Sequence, residues 1–289
     1  MKRRKLKNAF MLFLFTLMAA YGLFWLFWIL GSVFMEGVSY LTPSLILEDP
    51  TPPGVEGGGL RPAFVGHFII TSIATLIGIP IGIMAGIYFA EYREDKLVEI
   101  LRNVTELMVS TPSIVMGAVV YAFLVKPLHH FNALAGSVSL ALLMVPVIAV
   151  ATNEMLRLIP QQMREAAYAL GAYKWQMIWH VTLKAAKKGI ITAVLLGVAR
   201  ISGETAPLLF TAFNNTDLSF NLLKPMASLT VNIFNYVMGP YDYWHKQAWA
   251  AGFILTMGVL LFSILARLTL RTDFSRIFSG IVDSIFKRR

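Results

Sequence analysis

Six runs of apolar residues, each long enough to cross a bilayer as a helix, constrain this chain more than any other feature. They are Ala9–Met35, Gly66–Glu91, Asn103–Val125, Ala133–Thr152, Gly189–Phe213 and Gln247–Thr269. A helix needs about 20 apolar residues to span the hydrocarbon core. Within lipid, the backbone of such a segment satisfies its hydrogen bonds internally. Only 14% of the 289 residues are charged and 57% are hydrophobic, against roughly 25% charged in soluble domains. The expected fold class is therefore an all-α integral membrane protein with six transmembrane helices. The first run follows Lys2-Arg3-Arg4-Lys5 and exceeds the roughly 7–15 residues of a cleavable signal, so it reads as a signal anchor.

Charge fixes an orientation. The net charge of +9 is not gathered in a soluble basic domain, so it points to topology and not to nucleic acid. Five Lys and Arg precede the first run, three lie between the second and third, six between the fourth and fifth, and six at the C-terminal end. The opposite side carries four: Arg61, Lys126, Lys224 and Lys246. The positive-inside rule then places both termini in the cytoplasm. The two longer external connections, Glu48–Pro62 and Asn214–His245, are polar or rich in Pro and Gly; disorder and order against a translocation mouth stand as equal alternatives.

Inside the runs, Gly78, Gly82 and Gly86 recur every fourth residue and open one helix face to a neighbouring backbone. Pro80, Pro112, Pro146 and Pro207 are expected to interrupt four different spans, a pattern tolerated where freed backbone groups meet protein or a water-lined cavity.

The fifth run contains Arg200-Ile201-Ser202-Gly203-Glu204-Thr205-Ala206-Pro207. Counted from Gly189, Arg200 lies about 16 Å along the helix, near mid-membrane. An arginine there costs on the order of 2.5–3.5 kcal/mol. Arg200 and Glu204 stand at i and i+4, on one face, and can neutralise each other. One reading is a buried pair holding two helices in register. The other is an oxyanion step: the guanidinium offers a planar fork of donors, and Glu204 can accept a hydrogen bond from the acidic proton that phosphate retains near neutral pH and sulfate lacks.

Between the fourth and fifth runs stands Arg164-Glu165-Ala166-Ala167-Tyr168-Ala169-Leu170-Gly171. Two small residues allow close docking, and Gly171 can close the helix in a left-handed cap. At this position the chain resembles the permease subunits of ABC importers, whose EAA loop docks on an ATPase. Together EGGGL (56–60), IPIGIMAGIYFAEY (79–92), TPSIVMG (111–117), REAAYALGAYKW (164–175) and ARISGETAPLLFTA (199–212) are similar to the PstA-type permeases of phosphate-specific importers. The similarity runs from about residue 20 to 271.

That resemblance implies a type I (MetI-like) importer fold in the bacterial inner (plasma) membrane. It implies a heterodimer with a PstC-type permease, two PstB-type ATPases below and a PstS-type phosphate-binding protein above. Glu165, Ala166, Ala167 and Gly171 would then form the ATPase-coupling helix, and Arg200, Glu204, Ser202 and Thr205 the substrate path for inorganic phosphate. The chain would be non-catalytic and bind no cofactor, with ATP and Mg on the partner ATPase. The rivals are a permease for another oxyanion such as molybdate or sulfate, and an ATP-independent channel. The family's EAA pattern closes in I-x-L-P, where this chain has Val181, Leu183 and Lys184, so no proline turn is expected there. Relatives often carry an arginine where this chain has Val150-Ala151-Thr152-Asn153-Glu154.

The residues agree with a passive subunit. No G-x-x-x-x-G-K-[ST] loop occurs, the five histidines lack metal-ligand spacing, and no nucleophile–base pattern stands out. Trp175 and Trp179, four apart, suit either interfacial anchoring or contact with the ATPase. The chain is expected to divide into an anchor helix and external loop (1–65), the permease core (66–271) with its coupling loop at about 156–188, and a basic amphipathic tail (272–289) on the inner leaflet.

Overall fold

The structure is a computed structural model that describes residues 2–286, with side chains from 3 to 265. Helix α1 (Lys2–Ser39) is followed by a short α2 (Pro43–Leu47) and by α3 (Arg61–Glu91). Then come α4 (Lys96–Ser110), α5 (Ser113–Val120), a π-helical turn at Tyr121–Val125 and α6 (Lys126–Leu128). Helix α7 (Ala133–Arg157) precedes α8 (Gln161–Ala169) and α9 (Lys174–Met177), which runs through a second π segment (Ile178–Thr182) into α10 (Leu183–Ile201). Helices α11 (Ala206–Thr211), α12 (Leu229–Met238) and α13 (Asp242–Phe286) complete the chain. The fold is all-helical among the described residues.

The centre is the packing of α3 on α7. A Cβ built at Gly78 would fall 2.5 Å from Met144 Cε, at Gly82 2.8 Å from Ile148 Cβ, and at Gly86 2.5 Å from Thr152 Cβ. No larger residue fits at this separation, so the small-residue stripe sets the interaxial approach, as the spacing predicts. Helix α10 reaches the same core from the other side: Gly197 lies against Met144 and Ile148, and Ile201 is fully buried with them.

Four described helices are long and apolar enough to cross a membrane (α1, α3, α7 and α13), or five if the pair at 96–128 is one bent span. Two of the six expected spans are thus corrected. The third, Asn103–Val125, is broken: α4 meets the next helical segment at 110°. Pro112 forces Thr111 into an extended conformation (ψ 133°) because its ring clashes with a helical predecessor. Helix α4 itself carries Lys96, Glu99, Arg102 and Glu106 and starts at Asp95, whose carboxylate accepts the Leu97 N–H. The Tyr88 hydroxyl and that N–H hold the Asp95 carboxyl below its ordinary range.

The fifth expected span, Gly189–Phe213, divides into α10 and α11 around Ser202–Thr205. Of the four prolines, only Pro112 and Pro207 mark breaks; α3 and α7 continue through Pro80 and Pro146. Isolated prolines are tolerated in apolar helices where neighbouring helices and side chains meet the freed backbone groups, and here the glycine-stripe contact spans both sites.

Of the two readings for the external connections, order is realised. In the first, the Gly54 N–H donates to Tyr243 Oη at 3.1 Å, and Gln247 Nε2 donates to the Gly57 and Gly58 carbonyls. The second contains α12, with Leu229, Val231, Asn232 and Tyr236 buried. It also ties to the start of α7, where the Ala133 and Leu134 N–H groups donate to the Lys224 and Leu222 carbonyls. Helix α1, by contrast, leaves its whole membrane-length segment uncovered and touches α13 near Gly37 and Phe34, both against Phe253. The side chains of the expected amphipathic tail (272–289) lie outside the described residues.

Candidate functional site: a charged helix break and a docking helix

The first site is the break between α10 and α11. The Ile201 carbonyl accepts the Glu204 N–H and the Arg200 carbonyl the Gly203 N–H, closing a tight turn. The Thr230 hydroxyl at the head of α12 donates to the Glu204 carbonyl at 2.9 Å, fixing the far side. Arg200 Nε and Glu204 Oε1 are 3.7 Å apart; the arginine side chain is 44% exposed and the glutamate 16%. At that distance the groups attract as ions without a hydrogen bond, so Glu204 does not take up the guanidinium's donors.

The spacing therefore brought Arg200 and Glu204 together as expected, although across a broken helix and not along a continuous one. Ser202, in the same turn, takes another partner. Its hydroxyl donates to the Val198 carbonyl at 2.8 Å, and it lines a cavity of about 730 Å³ among α3, α10 and α13 in which Arg200 and Glu204 take no part. Thr205 sits at the head of α11, its carbonyl accepting the Leu208 and Leu209 N–H groups and its side chain making no cap bond.

The second site is α8 and the turn that ends it. Gly171 adopts φ +81°; the Ala172 N–H donates to the Ala167 carbonyl and the Gly171 N–H to Tyr168. This pair of bonds is a Schellman motif, the left-handed closure the sequence suggests. Ala167 is buried against Met177 and Ile178, while Glu165 and Ala166 face outward. The expected absence of a proline turn after the motif is realised as unbroken helix from Lys174 to Ile201, relaxed by the π segment.

Two features were not read from the sequence. The first is an apolar crown around α8: Leu170 is 89% exposed, Tyr173 72%, Trp175 58% and Trp179 62%. These side chains follow one another along the end of α8, the turn, α9 and the π segment. The sequence points to the two tryptophans and to the Gly171 cap, whereas the exposure of Leu170 and Tyr173 on either side of that cap is seen only in the structure.

The second is a buried ion pair. Arg164 Nη2 lies 3.0 Å from Glu91 Oε1, with side chains only 8% and 5% exposed. Arg164 also donates from Nη1 to the Ile159 carbonyl (2.7 Å) and from Nη2 to that of Leu156 (2.8 Å). Lys174 Nζ donates to the Glu91 carbonyl at 3.1 Å and lies 3.5 Å over the Tyr92 ring. The residues stand at the ends of two of the quoted motifs, yet 73 positions of separation conceal the pair.

Comparison with known proteins follows the same lines. The family described as binding-protein-dependent transport system inner membrane component matches residues 78–271. The phosphate transport system permease protein PstA of Yersinia pestis is 47% identical over 91% of this chain and 90% of its own. That of Haemophilus influenzae is 45% identical over 92% and 94%. A probable PstA of Methanocaldococcus jannaschii is 37% identical over 75% and 77%. Among solved structures, an inward-facing MetNI methionine ABC transporter aligns with TM-score 0.59 at 19% identity, over 74% of this chain and 94% of that one. An amino acid ABC transporter aligns with TM-score 0.54, over 73% and 94%; at such identities the likeness is one of fold.

Proposed function

Since the chain belongs to the binding-protein-dependent transport system inner membrane component family, we propose that it is the PstA-type permease half of an ATP-driven importer of inorganic phosphate. The observation that carries the substrate is the Arg200–Glu204 pair, 3.7 Å apart at a break in the chain. An exposed guanidinium supplies charge-assisted donors to a tetrahedral oxyanion. The adjacent carboxylate favours an anion that still carries a proton. Molybdate and sulfate lack that proton at neutral pH and would meet repulsion instead.

In this reading the second half of the path comes from a PstC-type permease. A PstS-type binding protein delivers phosphate from outside, and two PstB-type ATPases hold ATP and Mg²⁺. The chain supplies no cofactor site. It lies in the bacterial inner membrane with both termini in the cytoplasm. Helix α8 with its exposed Glu165 and apolar crown docks on the ATPase, and nucleotide-driven movement of that helix re-orients the α10–α11 break between the two sides.

Replacing Arg200 by glutamine keeps a polar amide and removes the guanidinium and its charge. Radiolabelled phosphate uptake by the assembled complex is expected to fall roughly tenfold or more, the worth of a charged hydrogen bond, while assembly is retained. Unchanged uptake would make the pair scaffolding. Stronger competition by sulfate than by arsenate, which also keeps a proton, would assign a different oxyanion.

A further inference from the structure

We infer that the Arg164–Glu91 pair is the pin through which motion of the docking helix is delivered to α3, so that Glu91 and Arg164 are positioning residues for transport. The inference rests on the reading that α8 docks on an ATPase. It adds where the movement goes next.

Three observations set the pair apart from a surface ion pair. First, it is nearly inaccessible, with side chains 8% and 5% exposed and Nη2 3.0 Å from Oε1. Desolvating two charges this completely gives little net stability, and apolar residues of equal volume serve a core as well or better. Second, Glu91 occupies the last turn of α3, where a carboxylate opposes the helix dipole; local stability does not favour an acid there. Third, the guanidinium is shared: it also donates to the Leu156 carbonyl in the last turn of α7 and to the Ile159 carbonyl just beyond it. One side chain in the first turns of α8 thus grips the cytoplasmic ends of α3 and α7. Lys174, just beyond the Gly171 turn, holds the Glu91 carbonyl as a second tie.

From Glu91 the contact continues without a gap. The glycine face of α3 lies directly on Met144, Ile148 and Thr152 of α7. Met144 and Ile148 also bear on Gly197 of α10, three residues before Arg200. Close-packed interfaces of this kind shift between discrete arrangements and do not deform smoothly. A displacement of α8 therefore has a rigid route to the helix that carries the charged break. Coupling through this route is read out by the ratio of ATP hydrolysed to phosphate imported.

The test uses the complete complex of both permeases and ATPase, with its phosphate-binding protein, reconstituted in liposomes. Glu91→Gln is expected to retain the ATPase on purification and to continue hydrolysing ATP, while the ATP-to-phosphate ratio rises several-fold. The chain has no cysteine, and Glu91 and Arg164 both line an open cavity with Tyr168 and Lys174, so E91C/R164C can be joined from that side by a short bis-methanethiosulfonate linker, held through two reducible disulfides. Linking is expected to restore the ratio, and reductive cleavage of the linker to raise it again. A merely structural pair would change melting temperature and yield without this reversible ratio. If Glu91→Gln fails to assemble, the apolar pair E91L/R164M replaces it and is expected to show the same uncoupling. An unaltered ratio in the assembled variant, or no recovery on linking, overturns the inference. Glu165→Arg serves as the control for docking itself: retention of the ATPase by that variant overturns the docking reading, and this inference with it.

Discussion

At the level of single residues, Gly171 and Arg200 show two ways in which identity matters. A Cβ at Gly171 would meet nothing within 4 Å, yet φ is +81°. Its requirement is conformational and not steric. Replacement by alanine is expected to cost about 1–2 kcal/mol in that turn, which loosens the crown formed by Leu170 and Tyr173. The ATPase recovered by affinity purification should fall in Gly171→Ala and be largely kept in Gly171→Asn, because asparagine tolerates the left-handed region. Equal recovery in wild type and Gly171→Ala would disconnect the turn from docking. Arg200 is the opposite case: the backbone accepts many residues there, and charge with planar donors is what counts. The sequence exposed both positions, one through a glycine at a helix end and the other through a charge in an apolar run.

Between elements, the α3–α7 contact and the two helix breaks divide what pattern reading can and cannot reach. The four-residue glycine spacing is a property of one helix, so the close approach followed from it. A Cβ at Gly82 would come within 2.8 Å of Ile148 Cβ and 3.1 Å of the Val145 carbonyl. Gly82→Ile is therefore expected to destabilise the protein by about 1–3 kcal/mol, as overpacking does. A lowered melting temperature in detergent would register it. Gly22→Ala in α1, with open space around it, should leave that temperature unchanged; equal loss in both variants would refute the contact. The breaks near Pro112 and Pro207 were legible as prolines but not as breaks, because Pro80 and Pro146 leave their helices intact. Only the packing around each proline separates the two outcomes.

For the molecule as a whole, the lysine and arginine asymmetry gives an orientation that is directly testable. Because the chain lacks cysteine, single cysteines report their side without background. A cysteine at Glu56 should react with a membrane-impermeant maleimide from outside, and one at Glu165 only after permeabilisation. The reverse result would invert the topology and remove α8 from any ATPase. The sequence by itself determined what the solvent imposes: helical spans, a bias of cations to one side, a small-residue seam and a glycine-capped helix at Gly171. Each depends on local spacing and on transfer between water and hydrocarbon. Only the tertiary structure decided that two of the expected spans are broken, that Ser202 lines a cavity among α3, α10 and α13, and that Arg164 closes on Glu91. Those outcomes depend on which surfaces meet across long stretches of chain, and a burial or an ion pair between distant residues leaves no periodicity in either partner.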